Sequence, residues 1–134
     1  MGHIAFAAAY LDEKSNNIIK SFGFEKEDFH LTTCIDLSGI ITKIPDQNFT
    51  INSAIIKSLN EWTVNDGVYL VAELSECSWS YHINSLLLSY GAVEARPHNP
   101  HITLLKTNAI GTLKKYEDLV GLTLNFNRHV IKRK

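Results

Sequence analysis

Two copies of a His-x-Thr element carry the residue types best suited to chemistry in this sequence: His30 with Thr32, and His101 with Thr103. Histidine has an ordinary pKa of about 6.5, so one copy can accept a proton while the other donates one. A nearby threonine hydroxyl can donate a hydrogen bond to an oxygen that gains negative charge. Together the two elements predict acid-base cleavage of a phosphodiester without a metal ion.

The first element lies in Phe29–Asp36, a segment rich in β-branched residues that predicts a strand. Side chains alternate along a strand, so His30, Thr32 and Cys34 are expected on one face. Leu31 and the residues that alternate with it are expected on the other face. The histidine and the threonine should therefore point the same way.

The second element lies in His101–Leu105, which alternates in the same way and places His101 and Thr103 on one face. Pro97 and Pro100 keep the connection before it out of a helix. A single His-x-Thr pattern recurs by chance, and the plain alternative is a set of polar residues on a solvated sheet face. Two copies on two predicted strands favour a shared site.

Similar elements precede the two motifs. His3–Tyr10 predicts a strand, and Asp12–Phe22 predicts a helix with apolar residues at helical spacing. Later in the chain, Val68–Leu74 predicts a strand and Trp79–Tyr90 a helix that ends before Gly91. The second half of the chain thus repeats the order of the first.

The two histidines are separated by 101 − 30 = 71 residues, about half of the 134 in the chain. We therefore expect an α+β fold in which two pseudo-twofold related strand-helix-strand units place antiparallel sheets around a central cleft. Phe49–Trp62 and the turn signal at residues 65–67 predict a hairpin, and Leu122–Val130 a final strand. The alternative is an unrelated single sheet with helices on one face.

The composition bounds the kind of partner. With 45% hydrophobic and 20% charged residues, the sequence predicts a single domain over residues 1–134. The formal net charge of -1 and the pI of about 6.6 supply no polycation for a long nucleic acid, so a small nucleotide is the better expected ligand. A near-neutral net charge is still compatible with a local basic patch.

Cysteine usage and hydropathy bear on location. Cys34 and Cys77 form neither a C-x-x-C pair nor a dense disulfide scaffold, which favours a reduced, cytoplasmic setting. The apolar opening, Ile4–Ala9, is far shorter than the roughly 20 residues that span a bilayer. We expect no membrane partner.

The sequence resembles the two-histidine (2H) phosphoesterases. Their paired H-x-T/S motifs match the two His-x-Thr elements and the context Pro100–Leu104. The run Ser58–Trp62 and the segment Gly67–His101 are similar to the phage nucleases that counter CBASS, a bacterial immune system with cyclic oligonucleotide messengers. The resemblance implies a compact bilobal fold, no cofactor, and cleavage of cyclic di- or trinucleotides in the cytoplasm of the host bacterium. It also implies attack by a ribose 2′-hydroxyl, with His30 and His101 as base and acid in an order left open.

The resemblance bears on residues outside the motifs as well. Tyr10 matches an aromatic position that stacks on a base, although packing at the core or rim explains it equally well. Lys20 and Lys26 precede the first motif, where the family has a lysine that contacts phosphate, and a solvated surface lysine is the plain interpretation of either. In the family, an acidic residue and a tryptophan near the C-terminus contact the ligand, and this sequence has no counterpart of either. Arg128 or the tail 132–134 would have to make those contacts instead. The plain interpretation of the tail is a disordered basic terminus.

Other histidines and the tryptophans receive ordinary interpretations. His98 is close to His101, but no third ligand is spaced as in zinc sites, so no metal is expected. The other histidines, at positions 3, 82 and 129, have no motif around them and are interpreted as surface or core residues. Trp62 and Trp79 are predicted to be large buried aromatics.

Two alternative functions remain open. The first keeps the fold and acts on the 2′,3′-cyclic phosphate end of linear RNA, a substrate that favours a longer basic groove. The second is a sponge that binds a cyclic nucleotide without cleaving it, which does not require two acid-base groups. The sequence leaves open the bases, the ring size, the linkage and the oligomeric state.

Overall fold

The elements of the chain alternate strands with short helices, in a computed structural model that describes residues 4–26, 28–45, 48–107, 111 and 113–133. His3 and Lys134 lie outside these described residues. In chain order the elements are β1 Ala5–Leu11, α1 Glu13–Lys20, β2 His30–Asp36, a 3-10 helix Ile40–Lys43, β3 Ser53–Val64, β4 Gly67–Ser75, α2 Ser78–Ser89, β5 His101–Thr107, a 3-10 helix Leu113–Leu119, and β6 Thr123–Arg133.

The two α-helices begin and end close to their predicted positions. Asp12 caps α1, because its carboxylate accepts a hydrogen bond from the backbone N–H of Ser15 at 2.8 Å. The helix ends at Lys20, so Phe22 lies past it, contrary to the prediction. Gly91 follows the end of α2 with a φ of 108°, which confirms its predicted place after that helix.

The six strands form one antiparallel sheet that closes on itself in the order β1-β2-β5-β4-β3-β6. Strand β1 pairs along its length with β2 and β6, and β4 does so with β3 and β5. These two groups of three strands meet at two shorter junctions. One is the pair Leu31–Ile102 between β2 and β5, and the other joins residues 53–55 of β3 to residues 123–125 of β6.

The hydrophobic core lies between one face of the sheet and the helices. Ile19 of α1 and Leu87 of α2 are fully buried, and they belong to one cluster with Leu31 and Ile102 of the sheet. Burying such side chains is worth about 1.5–3 kcal/mol each relative to exposure. Packing on this side leaves the opposite face of β2 and β5 for the polar residues of the two motifs.

These elements confirm the predicted α+β class, with a six-stranded antiparallel sheet. The predicted hairpin is present, although β3 begins at Ser53 rather than Phe49. The last strand runs through Arg133, three residues beyond the predicted Val130. Among the described residues, no helix is both long enough and apolar enough to cross a membrane.

Candidate active site

The two His-x-Thr elements lie side by side. Their central residues, Leu31 and Ile102, are direct partners in the antiparallel β2–β5 pair, and both are fully buried. In an antiparallel pair, the residues that flank such partners are also opposite each other. His30 therefore lies next to Thr103. The other two motif residues, Thr32 and His101, adjoin in the same way, and all four are partly exposed.

The register also sets the spacing of the two histidines across the strand pair. His30 lies opposite Thr103, two residues from His101, so the two histidines are diagonal neighbours across the strand pair. Such neighbours are separated by roughly 7–8 Å. Residues at that spacing can both reach one phosphate group with their imidazoles, through hydrogen bonds of about 2.8 Å. The hydroxyls of Thr32 and Thr103 occupy the other diagonal.

A β-bulge follows the threonine of each motif. Ala7 and Ala8 of β1 pair with Cys34 and Thr32, which leaves Thr33 as the extra residue on β2. A bulge reverses the alternation beyond it. Cys34 consequently lies in the core, and the prediction that it shares a face with His30 is wrong.

The second motif has the same irregularity. Leu70 and Val71 of β4 pair with Leu105 and Thr103, so Leu104 is the extra residue on β5. Leu104 and Ile102 are both buried, as predicted from the alternation of this segment. Each active-site threonine is thus the last regularly paired residue before a bulge.

Buried hydrogen bonds hold the first bulge in place. The Thr33 hydroxyl donates to the carbonyl of Ala7 at 3.1 Å, so it must accept from Nε2 of His129 at 2.8 Å. The amide of Asn84 in α2 donates to the carbonyl of Thr33 at 2.7 Å. His129, interpreted from sequence as a surface or core histidine, is therefore a support for this bulge, and burial lowers its pKa to about 4.

His30 lies among aromatic and positively charged side chains. The centroid of its ring is 5.3 Å from that of Tyr10 and 6.2 Å from that of Phe6. Burial, followed by the positive charges of Lys26 and Lys132, lowers the pKa of His30 to about 4. A neutral imidazole, able to accept a proton, is the resulting form of His30 at pH 7.

His101 has different neighbours. Its Nδ1 donates to the carbonyl of Asn99 at 2.7 Å, which leaves Nε2 to exchange a proton with a ligand. Glu73 of β4 lies directly opposite His101, and the Trp62 ring centroid is 4.5 Å from the imidazole centroid. Burial lowers the pKa of His101, whereas the hydrogen bond to Asn99 and the negative charge of Glu73 oppose that decrease, and the charge of Arg96 adds to it.

Polar residues of β3 support the carboxylate of Glu73. The Ser58 hydroxyl donates to Oε2 of Glu73 at 3.5 Å, and the Asn60 amide donates to the Ser58 hydroxyl at 3.3 Å. Ser58, Asn60 and Trp62 alternate along β3 and belong to the run singled out in the sequence. This strand therefore brings its polar face to the side of His101.

Trp62 and Glu73 are the site residues that sequence reasoning missed. Trp79 is buried as predicted, but Trp62 is partly exposed beside His101, so the prediction that both are buried is wrong for Trp62. Counting cross-strand partners outward from the turn at residues 65–66 would have placed Trp62 opposite Tyr69. The pairing of Glu73 with His101 joins distant segments and had no local signal.

Tyr10 lies beside His30, but its ring is covered. Only 6% of the residue is exposed, and the Arg128 guanidinium carbon lies 4.6 Å from the ring centroid. Nζ of Lys132 is 5.2 Å from the same centroid. The position predicted to stack on a base thus supports two cations at the edge of the site.

Of the two lysines considered from sequence, Lys26 reaches the site. Its Nζ donates to the carbonyl of Thr103 at 3.3 Å, and burial lowers its pKa. A cavity of about 490 Å³ opens beside the site, lined by Lys26, Thr103 and Tyr69 among others, and neither motif histidine belongs to its lining. This volume lies in the range of small-ligand pockets, about 300–1,000 Å³. Lys20 lies instead in the last turn of α1.

His98 is tied to α2. Its Nε2 lies 3.1 Å from the Ser80 hydroxyl, and its ring meets Tyr81 edge-on at 4.8 Å. Burial and the nearby His101 lower its pKa to about 4. Among the described residues, no three side chains of His, Cys, Asp or Glu converge as a set of metal ligands.

No model of a known protein family matches the chain, and neither does any curated protein sequence.

Proposed function

We propose that this protein is a metal-independent 2H phosphodiesterase that opens cyclic di- or trinucleotide messengers at 3′-5′ bonds. The observation that carries the proposal is the direct pairing of Leu31 with Ile102, which brings both His-x-Thr elements to one face of the sheet. Two acid-base groups and two hydroxyl donors around one phosphate-sized gap are the parts that phosphodiester cleavage requires.

The repeated order of elements supports a pseudo-twofold relation between the halves, and with it the bilobal 2H architecture. Strand, α-helix, strand, 3-10 helix and strand occur in that order twice. In the first half Tyr10 lies opposite His30, and in the second half Glu73 lies opposite His101. The matching bulges after the two threonines also agree with this relation.

The reaction begins with attack by a ribose 2′-hydroxyl on the adjacent phosphorus. One histidine takes the hydroxyl proton as the new O–P bond forms, and the other donates a proton to the departing 5′-oxygen as its bond to phosphorus breaks. Thr32 and Thr103 donate hydrogen bonds to the non-bridging oxygens. The products are a 2′,3′-cyclic phosphate and a free 5′-hydroxyl, and water opens the cyclic phosphate with the histidine roles reversed.

The unequal surroundings of the histidines assign their first roles. His30 lies near positive charges and remains neutral, so it is the base of the first step. Burial lowers the pKa of His101, but the facing carboxylate of Glu73 opposes that decrease, so His101 is the better placed of the two histidines to donate the proton and is the acid. The fixed Nδ1–H of His101 leaves Nε2 as the atom that delivers the proton.

The substrate class rests on charge as well as on the motifs. The near-neutral composition, with a formal net charge of -1, suits a short nucleotide better than a long RNA. Cleavage of an immune messenger in the host bacterial cytoplasm would make the protein a phage counter-defence enzyme. No protein cofactor takes part in the proposed reaction.

The test incubates the purified protein, in excess EDTA, with cyclic di- and trinucleotides and with a linear RNA that has a 2′,3′-cyclic end. Products are resolved by chromatography and mass. Opening of a cyclic nucleotide supports the proposal. Reaction with the linear end alone would establish the RNA-processing alternative, and tight retention of an unchanged cyclic nucleotide would establish the sponge.

A further inference from the structure

We infer that Arg128 and Lys132, here called the β6 cation pair, form a subsite for a second phosphate of the substrate, one that is not cleaved. The inference rests on the proposed function. In the β1–β6 pairing, Arg128 lies opposite Tyr10 and Lys132 lies opposite Phe6. Cross-strand partners share a face of the sheet, and Tyr10 is also the partner of His30. The β6 cation pair therefore faces the same side as the active site.

Tyr10 holds the β6 cation pair near His30. The guanidinium carbon of Arg128 and Nζ of Lys132 lie 4.6 and 5.2 Å from the centroid of the Tyr10 ring, and the His30 ring is 5.3 Å from that centroid. A cation within about 6 Å of an aromatic centroid is attracted to the ring. Both charges are thus positioned before any ligand arrives.

The β6 cation pair has little competition from carboxylates. Arg128 has an ion pair with Asp28 at 3.9 Å, and both side chains are more than half exposed. Such a long, exposed pair contributes little to stability. No salt bridge to Lys132 is found within the described part of the chain. A phosphate can therefore replace Asp28 as the partner of Arg128 at small cost.

The location separates this subsite from the scissile phosphate. Strand β1 lies between β2 and β6, so Arg128 is two strand spacings from β2, about 9–10 Å. The scissile phosphate occupies the gap between His30 and His101, on the opposite side of His30. A phosphate one nucleotide away along the substrate is the group that can reach the β6 cation pair.

The side of the site that contains His101 differs in charge from the side that contains the β6 cation pair. Beside His101 are the carboxylate of Glu73, the Trp62 ring and the charge of Arg96. At His101 the charge of Glu73 outweighs the opposite charge of Arg96, and a negative charge beside an aromatic surface suits a base and its ribose better than a phosphate. This polarity orients the ligand with its second phosphate towards Tyr10. The substrate class is therefore a nucleotide with at least two phosphodiester groups.

The experiment compares cyclic di-AMP, which has two phosphates, with 2′,3′-cyclic AMP, which has one. Arg128→Ala and Lys132→Ala are expected to raise KM for cyclic di-AMP by roughly 10-fold or more, the usual effect of losing a hydrogen bond to a charged group. KM for 2′,3′-cyclic AMP should change by less than about twofold. Arg133→Ala is the matched control. It removes the same charge from the residue after Lys132 in β6, and the side chains of successive residues in a strand point to opposite faces.

Equal KM changes for both nucleotides, or no change for either, would overturn the second-phosphate subsite. Direct binding of cyclic di-AMP to His101→Ala, with and without Arg128→Ala, measures the subsite independently of turnover. Weaker binding in the double variant supports it, and unchanged binding overturns it. Failure of the wild-type protein to cleave any nucleotide would instead overturn the proposed function.

Discussion

Glu73 lies directly opposite His101 in the β4–β5 pair, whereas the matching partner of His30 in the β1–β2 pair is Tyr10. One motif histidine therefore has a carboxylate for a neighbour and the other has an aromatic ring flanked by cations. Two motifs that look alike in sequence are consequently suited to different proton transfers. This difference leads to the first two predictions.

The dependence of kcat/KM on pH should be bell-shaped, with its maximum between about pH 4 and 6.5. Activity requires neutral His30, whose pKa is lowered to about 4, so the rate rises as pH increases through that value. It also requires protonated His101, whose pKa is lowered from 6.5, so the rate falls above that pKa. Steady-state rates in EDTA across pH 3.5–9 measure both limbs, and a rate still rising above about pH 7 would refute the assignment.

Glu73→Gln should move the alkaline limb of this profile to lower pH and leave the acidic limb in place. Without the carboxylate, His101 loses its proton more readily, so activity at pH 7 decreases, by less than about 10-fold. Glu117→Gln removes the same charge from an exposed site in a 3-10 helix and serves as the control. A lower kcat with an unmoved alkaline limb would mean that Glu73 only supports the structure.

Thr33→Val should destabilise the fold by about 1–3 kcal/mol, because it removes buried hydrogen bonds without changing the shape of the side chain. The carbonyl of Ala7 loses a donor, and Nε2–H of His129 loses its acceptor. Urea unfolding measures the change. Thr123→Val, at an exposed position of β6, should change stability by less than about 0.5 kcal/mol. Equal stability of the two variants would show that the bulge does not depend on this contact.

Local patterns were sufficient to predict much of the fold. Alternation placed His101 with Thr103 and buried Ile102, and helical spacing with Gly91 predicted α2. Each of these features depends on neighbours within a few residues, so the sequence pattern carries the physical information directly. The order of elements followed from the same reasoning.

The rest depends on contacts between distant segments. The bulge at Thr33 depends on hydrogen bonds that its hydroxyl makes to the Ala7 carbonyl and with His129, and no local pattern of β2 predicts it. The position of Cys34 was therefore predicted on the wrong face. Likewise Trp62 reaches His101 only because β3 and β5 both pair with β4, a register that period-2 patterns do not specify.

The central claim is that two histidines carry out the reaction, and single substitutions test it most directly. His30→Ala and His101→Ala should each lower kcat for the best cyclic oligonucleotide by about 10² to 10⁴, with folding and most ligand binding intact. His82→Ala, on the exposed side of α2, should retain wild-type activity. Full activity in either motif variant would contradict the account.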